Sequence, residues 1–133
     1  MGFTTVWYRG AEFTANDTVI EVWLFEVCRQ MDTDAETDPW LDELRGEWRL
    51  QATSGFGFGP TPALDKFLDT DDRRKRIADI FRKTLETLAH PHRFITPDEL
   101  SQSGIGGKEV IYSKNLPTQM VIDVGKRFLA LLD

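Results

Sequence analysis

The sequence predicts a mainly α domain with a minor β element, with α+β as the alternative class, and three observations lead there. Apolar residues recur three and four positions apart through several stretches long enough for multi-turn helices. Most of those stretches open on a capping residue or on proline in the first turn. Strand-like runs are few and short. With 133 residues, 41% of them hydrophobic, the chain reads as one globular domain over residues 1–133 with enough apolar side chains for a core. No internal repeat or linker divides it.

The first element is a strand-like run, FTTVWYR, at residues 3–9. A helix follows over about 18–31, where Ile20, Trp23, Leu24, Val27, Cys28 and Met31 share one face. Thr18 and Glu21 have the spacing of a capping box at its start. A second helix begins with Asp38 as cap and Pro39 in the first turn. It turns Trp40, Leu41, Leu44 and Trp48 inward and stops near Gly55.

The stretch SGFGFGPTP then interrupts helical periodicity, and Thr61 with Pro62 opens a short helical turn bearing Leu64, Phe67 and Leu68. The longest helix runs from about Thr70 to His90. It buries Ile77, Ile80, Phe81, Leu85 and Leu88, sets its acids in the first turn where the helix dipole favours them, and ends at Pro91. Thr96, Pro97, Glu99 and Gly104 repeat the cap pattern for a short helix, flanked by strand-like runs at 93–96 and 109–113. A last helix starts at Pro117 or Thr118 and reaches Leu132. Its apolar positions cover more than one stripe, which predicts the most buried helix of the set.

The charge is uneven. Residues 11–44 hold ten acids and one base, Arg29, for a local net charge of −9 within a total of −6. Asp32, Asp34, Glu36, Asp38, Asp42 and Glu43 crowd the connection between the first two helices. Phosphates would be repelled there, so nucleic acid is not expected as a partner of that face. A basic protein is. The N-terminus lacks the pattern of a signal peptide, and no window approaches a membrane span. One cysteine permits no internal disulfide and fits a reducing compartment. The expectation is a cytoplasmic protein that does not engage a membrane.

Gly55, Gly57 and Gly59 depart from the dinucleotide fingerprint, and the intervening Phe56 and Phe58 obstruct backbone approach to a pyrophosphate. This loop reads either as a connector with its phenylalanines in the core or as an aromatic contact loop. SGIGGKE at 103–109 fails the P-loop pattern at Gln102 and Glu109. Asp32, Asp34, Glu36, Asp38 and Glu43 sit at the ligand offsets of a calcium loop, yet Thr37 replaces its obligatory glycine. His90 and His92 lack further ligands nearby. Cys28, on an apolar helix face, reads as a core thiol. No metal, no cofactor and no catalytic residue is therefore expected.

A protein-binding module is the leading functional class; a small enzyme with a pocket formed only in three dimensions, or a subunit of a larger assembly, are the alternatives. An acidic, cysteine-poor, tryptophan-rich domain without catalytic motifs resembles the immunity proteins of bacterial polymorphic-toxin and contact-dependent inhibition systems. The resemblance lies in the character of the whole chain. It implies an inhibitor of a cognate toxin domain, often a nuclease, whose basic substrate groove would meet carboxylates in place of phosphates. The candidate contact residues are Asp32, Asp34, Glu36, Asp38, Asp42, Glu43, Phe56 and Phe58.

Overall fold

The computed structural model describes residues 2–33, 38–53, 62–89, 94–95, 98–99 and 116–133. It is mainly α with a minor β element. The chain opens with an antiparallel hairpin, β1 (Phe3–Tyr8) and β2 (Ala11–Asn16), joined by Arg9 and Gly10. Both turn residues have positive φ, 50° and 85°, the conformation a two-residue hairpin turn requires. Thr4, Val6 and Tyr8 face inward opposite Ala15, Phe13 and Ala11, and Phe3, Thr5 and Trp7 face outward. The strand β2 was not among the expected elements.

Helix α1 (Asp17–Asp32) follows without a break. Its cap is Asn16, whose side chain accepts from Thr18 N at 2.9 Å and Val19 N at 3.3 Å. This corrects the expected Thr18–Glu21 capping box: the helix starts earlier because Asn16 already satisfies the free amides. Helix α2 (Pro39–Thr53) begins as expected, the Asp38 carbonyl accepting from Leu41 N and Asp42 N. Helix α3 (Leu64–Phe67) is one turn, entered through Ala63 at φ 54°. Helix α4 (Asp71–Leu88) takes Thr70 as its cap, the hydroxyl accepting from Arg73 N at 3.2 Å, and ends two residues short of His90. The pair β3 (Phe94–Ile95) and β4 (Leu116–Pro117) is antiparallel and leads into helix α5 (Thr118–Leu132). The expected strand at 109–113 lies outside the described residues, as do Gly55, His90 and His92.

Helix α1 is the central element. It buries Val19, Ile20, Val22, Trp23, Leu24, Val27, Cys28 and Met31, more than any other helix. The expectation that α5 would be the most buried is therefore corrected; its Ile122, Leu129 and Leu131 stay partly exposed. Four helices meet at an aromatic cluster. Phe81 of α4 has Trp23 of α1 at 5.4 Å, Phe128 of α5 at 5.9 Å and Trp48 of α2 at 6.0 Å between ring centroids. Phe13 of β2 meets Phe128 edge-on at 5.1 Å. Such spacings suit edge-to-face and offset ring contacts. The Trp48 indole donates to the Pro62 carbonyl at 2.6 Å, and the Tyr8 hydroxyl to the Leu68 carbonyl at 2.8 Å, which tie α3 to α2 and to the hairpin.

Candidate functional site

The acidic connection is built by the last turn of α1 and the first turns of α2. Asp32 ends α1, and its two oxygens receive Arg45 Nη1 at 3.1 Å and Arg49 Nη2 at 2.7 Å. Arg45 Nη2 also reaches Asp42 Oδ1 at 3.3 Å. The hydrogen bond to Asp32 raises the Arg49 pKa above its ordinary value. One turn before Asp32, the Cys28 thiol donates to the Arg45 carbonyl at 3.5 Å. Burial pushes that thiol up to about 11, which makes it a packing group rather than a nucleophile.

Asp32 is thus a latch between two helices. The expected acidic patch is partly neutralised by Arg45 and Arg49, which follow the −9 segment in sequence and fold back onto it. Asp38 and Glu43 are exposed, and no ion pair among the described residues involves either. Counting Asp32, Asp38, Asp42 and Glu43 against the two arginines leaves a net charge of −2. Asp34, Glu36, Phe56 and Phe58 lie outside the described residues. Sequence reasoning missed three neighbours here: Arg45, of which only the i,i+3 pairing with Asp42 was legible, Arg49, and Leu50. Leu50 is 50% exposed and lies two turns beyond Glu43 on α2, with exposed Gly46 between them.

A second feature lies on the hairpin, whose strand β2 leads into the start of α1. The outer face of the hairpin exposes Phe3 at 75% and Trp7 at 56%. The Trp7 indole donates to the Glu12 carboxylate across the strands, and Thr5 meets Thr14 at 2.8 Å. Beside β1 a cleft of about 150 Å³ is lined by Thr5, Val6, Trp7 and residues 62–66. Pockets that enclose small-molecule ligands measure roughly 300–1,000 Å³, so this one is too small to hold most substrates. Asp65, one of its polar groups, is engaged by Arg9 N at 3.0 Å. Among the described residues, no three His, Cys, Asp or Glu side chains are grouped to hold a metal ion, and no helix is long and apolar enough to cross a membrane.

Among the described residues Glu21 is a carboxyl with a perturbed pKa. Its Oε2 is buried without a hydrogen-bond partner among the described residues, and burial, aided by the negative charge of Asp17, raises its pKa to about 7. A group whose pKa is higher folded than unfolded stabilises the fold fully below its unfolded pKa. That contribution is lost as pH rises through the folded value. Urea unfolding should therefore show stability falling between about pH 4.5 and 7, with Glu21→Gln flattening the slope. An equal slope in both proteins would place the titration on another group.

Comparison with protein-family models, with characterised proteins and with solved structures finds no match.

Proposed function

We propose that this protein is a stoichiometric protein-binding module that covers a basic partner with the α1–α2 end of the molecule. The partner class is a toxin domain that the module neutralises, as the resemblance to immunity proteins implies. The observation that supports this reading is the surface at the start of α2, where Asp38, just before the helix, and Glu43 are exposed without ion pairs among the described residues, and Leu50 lies two turns beyond Glu43 on the same face. Like charges held together in water gain little. Facing a cationic groove, they steer association and set register, and an exposed leucine beside them supplies an apolar contact.

Asp32 is assigned a different role. Its carboxylate holds Arg45 and Arg49, so its removal tests the helix pair rather than the partner. The discriminating variant is Asp38→Asn with Asp42→Asn and Glu43→Gln, leaving Asp32 in place. The candidate partner is the product of the neighbouring gene, whose expression alone should arrest growth and whose co-expression with this chain should restore it. With that partner, stopped-flow association across a salt series should show the triple variant slower by roughly tenfold at low ionic strength, within the range that steering supplies. An unchanged on-rate would remove the acidic surface from the proposal, and an unrelieved growth arrest would remove the toxin.

A further inference from the structure

Asp17 fastens the start of β1 to the start of α1. Its amide donates to the Gly2 carbonyl at 3.1 Å, and its carboxylate accepts from the Thr4 hydroxyl. Gly2 lies against the same carboxylate, since a Cβ there would stand 2.8 Å from Asp17 Oδ2. Phe3 is 75% exposed, so lifting residues 2–4 uncovers little apolar surface. Glu21 follows Asp17 by four residues, which sets the two side chains on one face of the helix. Its Oε2 is buried with no hydrogen-bond partner among the described residues. β2, α2, α4 and α5 all pack on α1. Among the described residues none of them brings a charge to bear on Glu21; the charged group that acts on it is Asp17.

A carboxylate buried with neither a donor nor a cation beside it is costly, and a like charge one turn away adds to the cost. Glu21 therefore keeps its proton while its surroundings are closed and ionises where water reaches it. We propose that Asp17 and Glu21 form a pH-sensitive clasp, in which loss of the Glu21 proton releases residues 2–4 from the first turn of α1. The helix itself cannot give way, because Leu24 and Cys28, one and two turns on along the same face, are fully buried. The start of β1 can. Ionised Glu21 repels the Asp17 carboxylate, and as Asp17 turns away it gives up Thr4 and Gly2 and admits water to Oε2.

With the clasp closed, burial holds the Glu21 pKa at about 7; with it open, the carboxyl returns to its ordinary value of 4.5. A group whose pKa is higher in the closed form favours closure fully below its open value and ceases to do so above its closed one. Opening is therefore rarest below about pH 4.5 and grows up to about pH 7, where it levels off. Between those limits the gain is up to about tenfold per pH unit. The clasp uses no residue of the α2 surface, and it stands independently of the proposed toxin partner.

Amide hydrogen exchange of the native chain, read by NMR from about pH 5 to 8 and corrected for the intrinsic rate, tests this at the Asp17 N–H. Its protection should fall steadily to about pH 7 and then level off, and Glu21→Gln should hold it constant. A low concentration of urea should leave the Asp17 rate unchanged while speeding exchange at Trp23, because the first amide opens locally and the second with the whole fold. If Glu21→Gln fails to fold, the carboxyl carbon shift of Glu21 in the native chain decides, since it must titrate where the Asp17 protection levels off. Asp17 protection that does not change with pH would overturn the proposal and would mean that the Glu21 side chain turns into water by itself. So would an equal fall in the Glu21→Gln variant, or an Asp17 rate that follows urea as Trp23 does.

Discussion

Replacing Phe81 with alanine should lower the unfolding free energy by about 3–5 kcal/mol, the usual cost of emptying a buried aromatic site. Native stabilities of about 5–15 kcal/mol leave little margin for such a loss. The residue is fully buried and touches one ring from each of α1, α2 and α5. A cavity at this point cannot close by the movement of one neighbour, because Trp23, Trp48 and Phe128 are each held by other contacts. Trp48, for example, is fixed by its hydrogen bond to the Pro62 carbonyl. Urea unfolding followed by tryptophan fluorescence measures the effect. Phe81→Leu, which refills most of the volume, should cost markedly less. A loss under about 1 kcal/mol for Phe81→Ala would mean that the four helices do not depend on this ring.

The second large effect comes from adding atoms. Gly125 lies in the interior of α5, and a Cβ placed there would stand 2.8 Å from Trp23 Cε3 and closer to the next two ring carbons. Carbon atoms pack best at about 3.5–4.0 Å. The indole is fully buried, with Phe81 of α4 at 5.4 Å between centroids, so its retreat would displace other core groups. Gly125→Ala gains up to about 1 kcal/mol of helix propensity, whereas overpacking costs about 1–3 kcal/mol, so overpacking should win. Gly46 of α2 supplies the contrast. It is exposed, with no atom within 4 Å of an added Cβ, so Gly46→Ala should stabilise by up to about 1 kcal/mol. The same substitution is expected to have opposite signs on two helices. A stabilised Gly125→Ala would show that α5 can shift away from α1 without loss.

Much of the helical framework was legible because burial imposes a period that survives in the residues. Ile77, Ile80, Phe81 and Leu88 face the core as their spacing demands. β2 was not legible, because AEFTAN contains few strand-favouring residues and its turn uses Arg9 where asparagine is usual. Its existence depends on packing against β1, α1 and α5. Trp7 illustrates an available signal that was missed. Val6 and Tyr8 on either side of it face inward, and strand alternation alone turns Trp7 outward. Trp23 and Trp48 are core residues, whereas Trp40 is half-buried with the Arg73 guanidinium 5.0 Å from its ring. At the acidic connection the carboxylates were legible and their neutralisation was not. The bonds from Arg45 and Arg49 to Asp32 span 13 and 17 residues, and they depend on how two helices cross.

The contact between Trp23 and Phe128 joins residues 105 positions apart. Because α5 leaves the ribosome after every other described element, the part of the Trp23 face that α5 covers stays open while the intervening chain is made. At about 5–20 residues per second, that interval lasts on the order of 5–20 s. Through it the parts of Phe13 and Trp23 that meet Phe128 lack their partner, and closure of the core waits on the arrival of a single late helix.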